Sequence, residues 1–398
     1  MTKKKPLRQY NNINRIILIK LLTSLYFYSP YMTLFFLGRG FNFVQINSIW
    51  GIIVFTIFLM EVPTGILADR WGRHRAVQMA ILLQFIGELL FLFITDYWLL
   101  VVDAVIAGIG FAFGSGALEA MVYDQLKAEN RPNAMQAVMG KINGAGYIGF
   151  VISFGLSGLL VPQAKQENIT VAILATVIAV GLGFLVTLSL KSGMERAESL
   201  ITPTSPQKLL KDGILLLRKN KRLRHLLLLS VLTIAFWDYL INLYQPYFQM
   251  INVPDSLLGP TLALASLTAF FAAQNVHKME RRIGPRWSLL ISTLCPGLIY
   301  ILLFFNRVPW IGILSISLFR GFNALKHPLF ADYNNRQISS HNRATVLSLI
   351  SMVAGGYTAV MGLIIGAIAE RWLLGAFLFC GIWVTGAAIA LRPEKYFS

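Results

Sequence analysis

Residues 43–64 and 76–94 are largely apolar and each long enough to cross a bilayer. The turn between them, Gly65-Ile66-Leu67-Ala68-Asp69-Arg70-Trp71-Gly72-Arg73-His74-Arg75, packs a carboxylate and three arginines. A hydrocarbon core about 30 Å thick takes roughly 20 residues of apolar helix to span, and charges are expelled from it. The turn therefore belongs at a membrane surface and joins two transmembrane helices. Runs of about 20 apolar residues recur along the whole chain, whereas soluble domains break theirs far sooner. With 56% hydrophobic and 13% charged residues and a mean hydropathy of +0.62, the 398 residues hold too few polar side chains to cover a soluble surface.

The pattern predicts an all-α membrane protein with twelve spans, near residues 14–36, 43–66, 75–94, 97–121, 136–161, 169–190, 225–250, 257–276, 287–306, 309–331, 344–368 and 373–391. The formal charge of +17 first suggests nucleic acid, but on this topology 28 of the 35 Lys and Arg fall on one side of the membrane and four on the other. That is the positive-inside pattern, so both termini are expected in the cytoplasm and nucleic acid is not an expected partner. Met1 to Asn14 is basic and polar, and no small-residue cleavage site follows the first apolar run, so the first span is expected to stay in the mature protein. Cys295 and Cys380 lie in apolar segments without CxxC spacing and read as small buried hydrophobes.

The longest polar connection, residues 191–224, carries the basic run Arg218-Lys219-Asn220-Lys221-Arg222 and divides a first half, 1–190, from a second, 225–398. The run can set orientation or contact anionic lipid headgroups. The halves read as copies. Tyr28-Ser29-Pro30-Tyr31 recurs as Tyr244-Gln245-Pro246-Tyr247, an offset of 216, and Ala145 to Tyr147 realigns on Gly355 to Tyr357 at 210. Glu280-Arg281-Arg282-Ile283-Gly284-Pro285-Arg286 is an eroded echo of the charged turn, with Gly284 on Gly72 at 212. Three similar offsets imply two pseudo-symmetric six-helix bundles.

Gly65, Asp69, Arg70, Gly72 and Arg75, in that spacing and between the second and third spans, resemble the signature loop of the major facilitator superfamily, with His74 at the first of its final two basic positions. The resemblance covers essentially the whole chain and implies the fold of that superfamily. Within it, Glu61-Val62-Pro63-Thr64-Gly65, Gly114 to Ala120, Tyr123-Asp124 and Arg343 to Ser348 are similar to the bacterial drug-efflux branch. The Gly-Pro pair of the antiporter signature is absent from span 5, which leaves transport direction open. The resemblance implies that Asp69, Arg70 and Arg73 gate by latching span 2 to span 11 when the protein is open outward. The glycines read as places where a side chain would obstruct helix ends or need an unfavourable backbone.

Ionisable groups inside spans cost about 2.5–3.5 kcal/mol each on insertion scales and therefore imply a partner, water or a proton. Glu88, Asp103 and Asp238 lie well within spans, Arg320 lies mid-span, and Lys326 and His327 follow two turns on. Since spans 1, 4, 7 and 10 line the cavity in the superfamily, the resemblance makes Asp238 the first candidate proton or substrate carrier and Asp103 the second. A static ion pair of either with Arg320 is the alternative. Tyr28, Tyr31, Trp237 and Tyr244 are candidate cavity aromatics, and Asn242, Gln245 and Asn323 candidate polar contacts. Glu61, Glu119, Asp124 and Arg343 read as a cytoplasmic charge network. Arg320 favours an anion, since its fork binds carboxylate or phosphate in bidentate fashion, while the acidic residues also present allow an amphoteric cavity and leave a zwitterionic metabolite or an organic-cation drug open.

No GxSxG, HExxH, Walker A or metal-spaced Cys/His motif occurs, so neither an enzyme nor a cofactor is expected. The leading reading is a monomeric secondary transporter of the inner cell membrane. It exports a small amphipathic molecule against protons, with protons and lipids as its other partners. An exporter or importer of an anionic metabolite such as a carboxylate siderophore is a second reading. A non-transporting sensor or a lipid scramblase is a third, from a different class.

Overall fold

The computed structural model describes residues 12–191, 221–234, 236–337 and 343–391, and within them the fold is all-helical. The first set of helices comprises α1 (Asn12–Leu22), α2 (Met32–Gly38), α3 (Phe43–Trp71), α4 (Arg73–Phe91), α5 (Tyr97–Gly114), α6 (Ala117–Ala128), α7 (Met135–Leu160) and α8 (Gln166–Thr187). The second comprises α9 (Lys221–Ile234), α10 (Phe236–Met250), α11 (Leu258–Phe305), α12 (Pro309–Gln337), α13 (Arg343–Arg371) and α14 (Leu373–Leu391). Most of the connection at 191–224, including Arg218 to Asn220 of its basic run, lies outside the described residues.

Eight helical stretches among the described residues are long and apolar enough to cross a membrane. α4 and α12 fall outside that set and carry Glu88 and Arg320 with Lys326 respectively. Apolar side chains point outward as well as inward: Phe55, Phe58 and Leu59 of α3 are all more than half exposed. That outer face is one for lipid.

Helix starts follow local chemistry. Asn42 opens α3 with a reciprocal box, its Oδ1 accepting from Gln45 N (2.8 Å) while Gln45 Oε1 accepts from Asn42 N (3.0 Å). Asp96 caps α5 through Oδ1, accepting from Trp98 N and Leu99 N. Gly72, with φ +94° and ψ 145°, ends α3 and starts α4. Gly284 interrupts the 48-residue α11 with φ +81° and ψ 163°. The two glycines aligned by the repeat thus share a backbone conformation that L side chains rarely adopt.

Two predicted spans are not continuous helices. Span 4 breaks at Ser115–Gly116, where Gly116 has φ +72°. Span 1 unwinds between Leu22 and Ser29, passes through a 3₁₀ turn at Ser29–Tyr31, and resumes as α2. Pro30 lacks an amide hydrogen and disfavours helix in the residue before it. Distant side chains satisfy the loosened backbone: Phe27 N donates to Thr176 Oγ1 (3.0 Å) and Thr23 O accepts from Gln84 Nε2 (3.1 Å).

Each set packs mainly on itself, and the two meet where α13 lies on α3, α11 on α7 and α10 on α2. A core cluster spans this junction, including Tyr31, Phe35 and Phe36 of the first set and Tyr244, Tyr247 and Phe248 of the second.

Candidate functional site

Among the described residues, the side-chain hydrogen bonds between the two sets all lie at the end opposite the Gly65–Arg75 turn. Gln245 Oε1 accepts from the amides of Thr33 (2.8 Å) and Leu34 (3.3 Å), at the start of α2. Tyr244 OH donates to Pro30 O (2.9 Å). Glu370 Oε2 accepts from Phe43 N (2.9 Å), Asp255 Oδ2 from Ala164 N (2.8 Å), and Asn47 Oδ1 from Asn242 Nδ2 (3.1 Å). Small residues let the backbones close up. A Cβ on Gly366 would stand 2.8 Å from Phe43 O, and one on Gly259 would collide with Ser157 Oγ and Phe154 O. This is the sealed face. Tyr31, Tyr244 and Gln245, expected around the cargo, are fully buried in its seam, and the two copies of the Tyr-x-Pro-Tyr repeat touch each other there.

The opposite, basic face is built differently. Arg73 pairs with Asp124 of α6 and donates to Ala120 O (3.0 Å), a bond within the first set. In the echo, Tyr333 OH donates to Glu280 Oε1 (2.7 Å). Asp69, Arg70, Arg75, Glu61 and Glu119 are exposed, and the Arg343 side chain lies outside the described ones. Burial first, and Arg75 next, hold the His74 imidazole below its usual range. Gly65 lies inside α3 with open space where a Cβ would stand, so here its missing side chain admits no neighbour.

Between the faces, Arg320 of α12 lies over the Trp237 ring, its Cζ 4.5 Å from the centroid. Trp237 in turn stacks on Phe319 at 6.1 Å. Asp238 and Tyr147 are the ionisable groups that face Arg320. Since Tyr147 belongs to α7, Arg320 looks across the junction to the first set. Asp238 and Asn242 stand one turn apart on α10, as Arg320 and Asn323 do on α12. The Oδ1 atoms of Asn242 and Asn323 are buried without a donor. The cluster offers a guanidinium, an aromatic face, a carboxylate and two unused acceptors. Glu88, Asp103 and Tyr28 lie apart from it in the first set, where Tyr28 and Asp103 face Glu88.

Tyr147, Asp255 and Glu370 take part in these arrangements without having been singled out as site residues by the sequence. For the two acids a signal existed: each flanks a predicted span at its sparsely charged end.

Residues 17–356 match the Major Facilitator Superfamily. The chain belongs to that superfamily. It is a multi-pass membrane transporter of this type, and its fold agrees with solved members. A curated relative, the uncharacterized MFS-type transporter YxaM of Bacillus subtilis (strain 168), is 20% identical over 358 residues, 88% of this chain and 86% of its own. The nucleoside transporter NupG superposes with a TM-score of 0.78 at 16% identity, covering 98% of this chain and 100% of that one. A POT family transporter in complex with 5-aminolevulinic acid gives 0.73 at 15% identity, covering 100% and 99%.

Proposed function

We propose that this superfamily member is a proton-coupled exporter of a small amphipathic molecule, working by alternating access between two six-helix bundles, 1–190 and 225–398, joined by the segment 191–224. The two bundles supply twelve spans. The basic face is cytoplasmic, as are both termini, and the protein resides as a monomer in the cell membrane. The observation that carries the reading is Arg320 on Trp237, flanked by Asp238 and facing Tyr147 across the junction, while one face of that junction is sealed. A guanidinium on an indole binds an anionic group beside a flat apolar one. Asp238 and the unused carbonyl oxygens of Asn242 and Asn323 suit N–H or O–H donors on the same cargo. The charged turn acts as a gate: Asp69 and Arg70 latch in the state where the basic face closes.

Arg320 also supports a second reading, in which the cargo is an anionic metabolite such as a carboxylate siderophore, moved in either direction. Purified protein in liposomes, given an imposed pH gradient and a panel of anionic, zwitterionic and cationic dyes, tests both. Gradient-driven accumulation of anionic or zwitterionic dye, lost in Arg320→Ala, is the expected result. Movement of phospholipid alone would identify a scramblase, and movement of nothing a sensor.

A further inference from the structure

The two halves treat their membrane-buried carboxylates differently. In the second half, Asp238 faces a guanidinium. In the first half, Glu88 of α4 is 7% exposed and its Oε2 has no hydrogen-bond partner. The ionisable groups that face it are Tyr28, Asp103 and Tyr26, none of them basic; α3, α6 and α8, which also pack on α4, place none of theirs against it. Asp103 of α5 comes close enough that a Cβ on Gly87, the residue before Glu88, would stand 3.1 Å from its Oδ1.

The tyrosines reach this point because span 1 unwinds there. Tyr26 and Tyr28 belong to the gap between α1 and α2, and both face Glu88. Gln84 Nε2 donates to Tyr26 OH (2.8 Å), which leaves the hydroxyl hydrogen of Tyr26 for another acceptor. Rings wall the site: Tyr28 lies 4.7 Å from Phe91, and Tyr26 stacks on Phe150 at 6.3 Å. Interrupted helices in membranes persist where their ends meet an ion, and the carbonyl end of a half-helix such as α1 favours a cation.

We propose that Glu88 and Asp103, with the hydroxyls of Tyr26 and Tyr28, bind one monovalent cation, a proton or a sodium ion, at a site separate from Arg320 and Asp238, and that this cation drives transport. The coupling half of the proposal rests on the transporter reading above; the binding half does not. Two ionised carboxylates facing each other in a membrane interior repel and are poorly solvated, so the pair requires a positive charge that the protein does not provide. A divalent ion fits less well. Calcium takes six to eight oxygens, and among the described residues no three His, Cys, Asp or Glu side chains form a metal-binding group. Neither Glu88 nor Asp103 is among the groups that face Asp238 or Arg320, so cation and cargo occupy different halves.

The test uses the purified full-length protein and needs no cargo. Binding of ²²Na⁺ is measured against choline at constant ionic strength, and infrared difference spectra between pH 6 and pH 9 report carboxyl protonation. A sodium site gives saturable binding, one ion per chain, abolished in Glu88→Gln and weakened in Asp103→Asn. A proton site gives no sodium binding but a carboxyl band that Glu88→Gln removes. Tyr28→Phe, which keeps the ring packing, weakens the sodium response or shifts the band. Sodium binding and spectra identical in wild type, Glu88→Gln and Tyr28→Phe overturn the site, leaving at most buried water beside Glu88. If the site binds but no dye moves in liposomes, the transporter reading fails and the site stands. If Glu88→Gln accumulates dye as wild type does, the coupling role fails.

Discussion

The sealed face and the basic face are built from opposite materials. At the sealed face, side chains of the second half reach uncharged backbone groups of the first: Gln245 to Thr33 and Leu34, Glu370 to Phe43, Asp255 to Ala164. At the basic face the charges pair within a half, as Arg73 does with Asp124, or remain exposed, as Asp69 and Arg70 do. A seam made of buried amides is tight and specific but releases as a unit, because each stranded N–H costs about 1–3 kcal/mol. A seam made of surface charges can be joined and parted in water at little cost. The difference suits the alternating access proposed above, in which one face breaks as the other forms.

The comparison breaks most visibly at Gln245. Gln245→Leu strands two buried amides and weakens the sealed face by about 1–3 kcal/mol for each. Spin labels on Lys165 and Met250, both exposed at that face, should move apart in this variant, while labels on Arg131 and Arg282 at the basic face move closer. An unchanged pair of distances would show that the amide bonds are incidental. Gly259→Leu comes next. The new side chain meets Ser157 and the Phe154 carbonyl, and overpacking of about 1–3 kcal/mol shifts the same distances by a roughly 5- to 150-fold change in population. Asp69→Asn acts in the reverse sense and more weakly. On the gating role proposed for the turn, it removes a charge that serves only the other state, worth about 0.3–1 kcal/mol near a helix end, and so raises the population sealed as seen here. If it opens the sealed face instead, the gating role of the turn is wrong.

Much of this was legible because duplication leaves periodic traces. The offset of 212 pairs Gly72 with Gly284, and both adopt the same positive-φ, extended-ψ backbone at the same bend. The Tyr-x-Pro-Tyr copies were legible as a repeat but not as mutual partners, since the meeting of Tyr244 with Pro30 depends on how two halves dock. The interruption of span 1 was signalled only at its end, by Pro30. Thr23 to Phe27 are compatible with helix, and what holds them unwound is Gln84 and Thr176, far away in sequence. Hydropathy sees how much apolar length is present and is blind to where a distant side chain will satisfy a broken turn. For the same reason Asp238 and Asp103 both stood as possible partners of Arg320 in the sequence, and only packing placed the guanidinium beside Asp238.

The smallest effect separates the charged turn from its echo. The offset that aligns Gly72 with Gly284 sets His74 against Arg286, so one turn carries a titratable cation where the other carries a permanent one. Because burial and Arg75 depress the His74 imidazole, the unfolded chain takes up the proton first as pH falls. The contribution to stability is therefore complete above the unfolded value of about 6.5 and is lost as pH drops through the folded one. Purified wild type should lose slightly more thermal stability than His74→Gln between pH 7.5 and pH 5.5, with no difference between them at the upper limit. Superimposable profiles would mean that His74 is too well solvated to matter. A gap that widens toward high pH would have the wrong sign, and would place the imidazole beside a carboxylate such as Asp69 rather than beside Arg75.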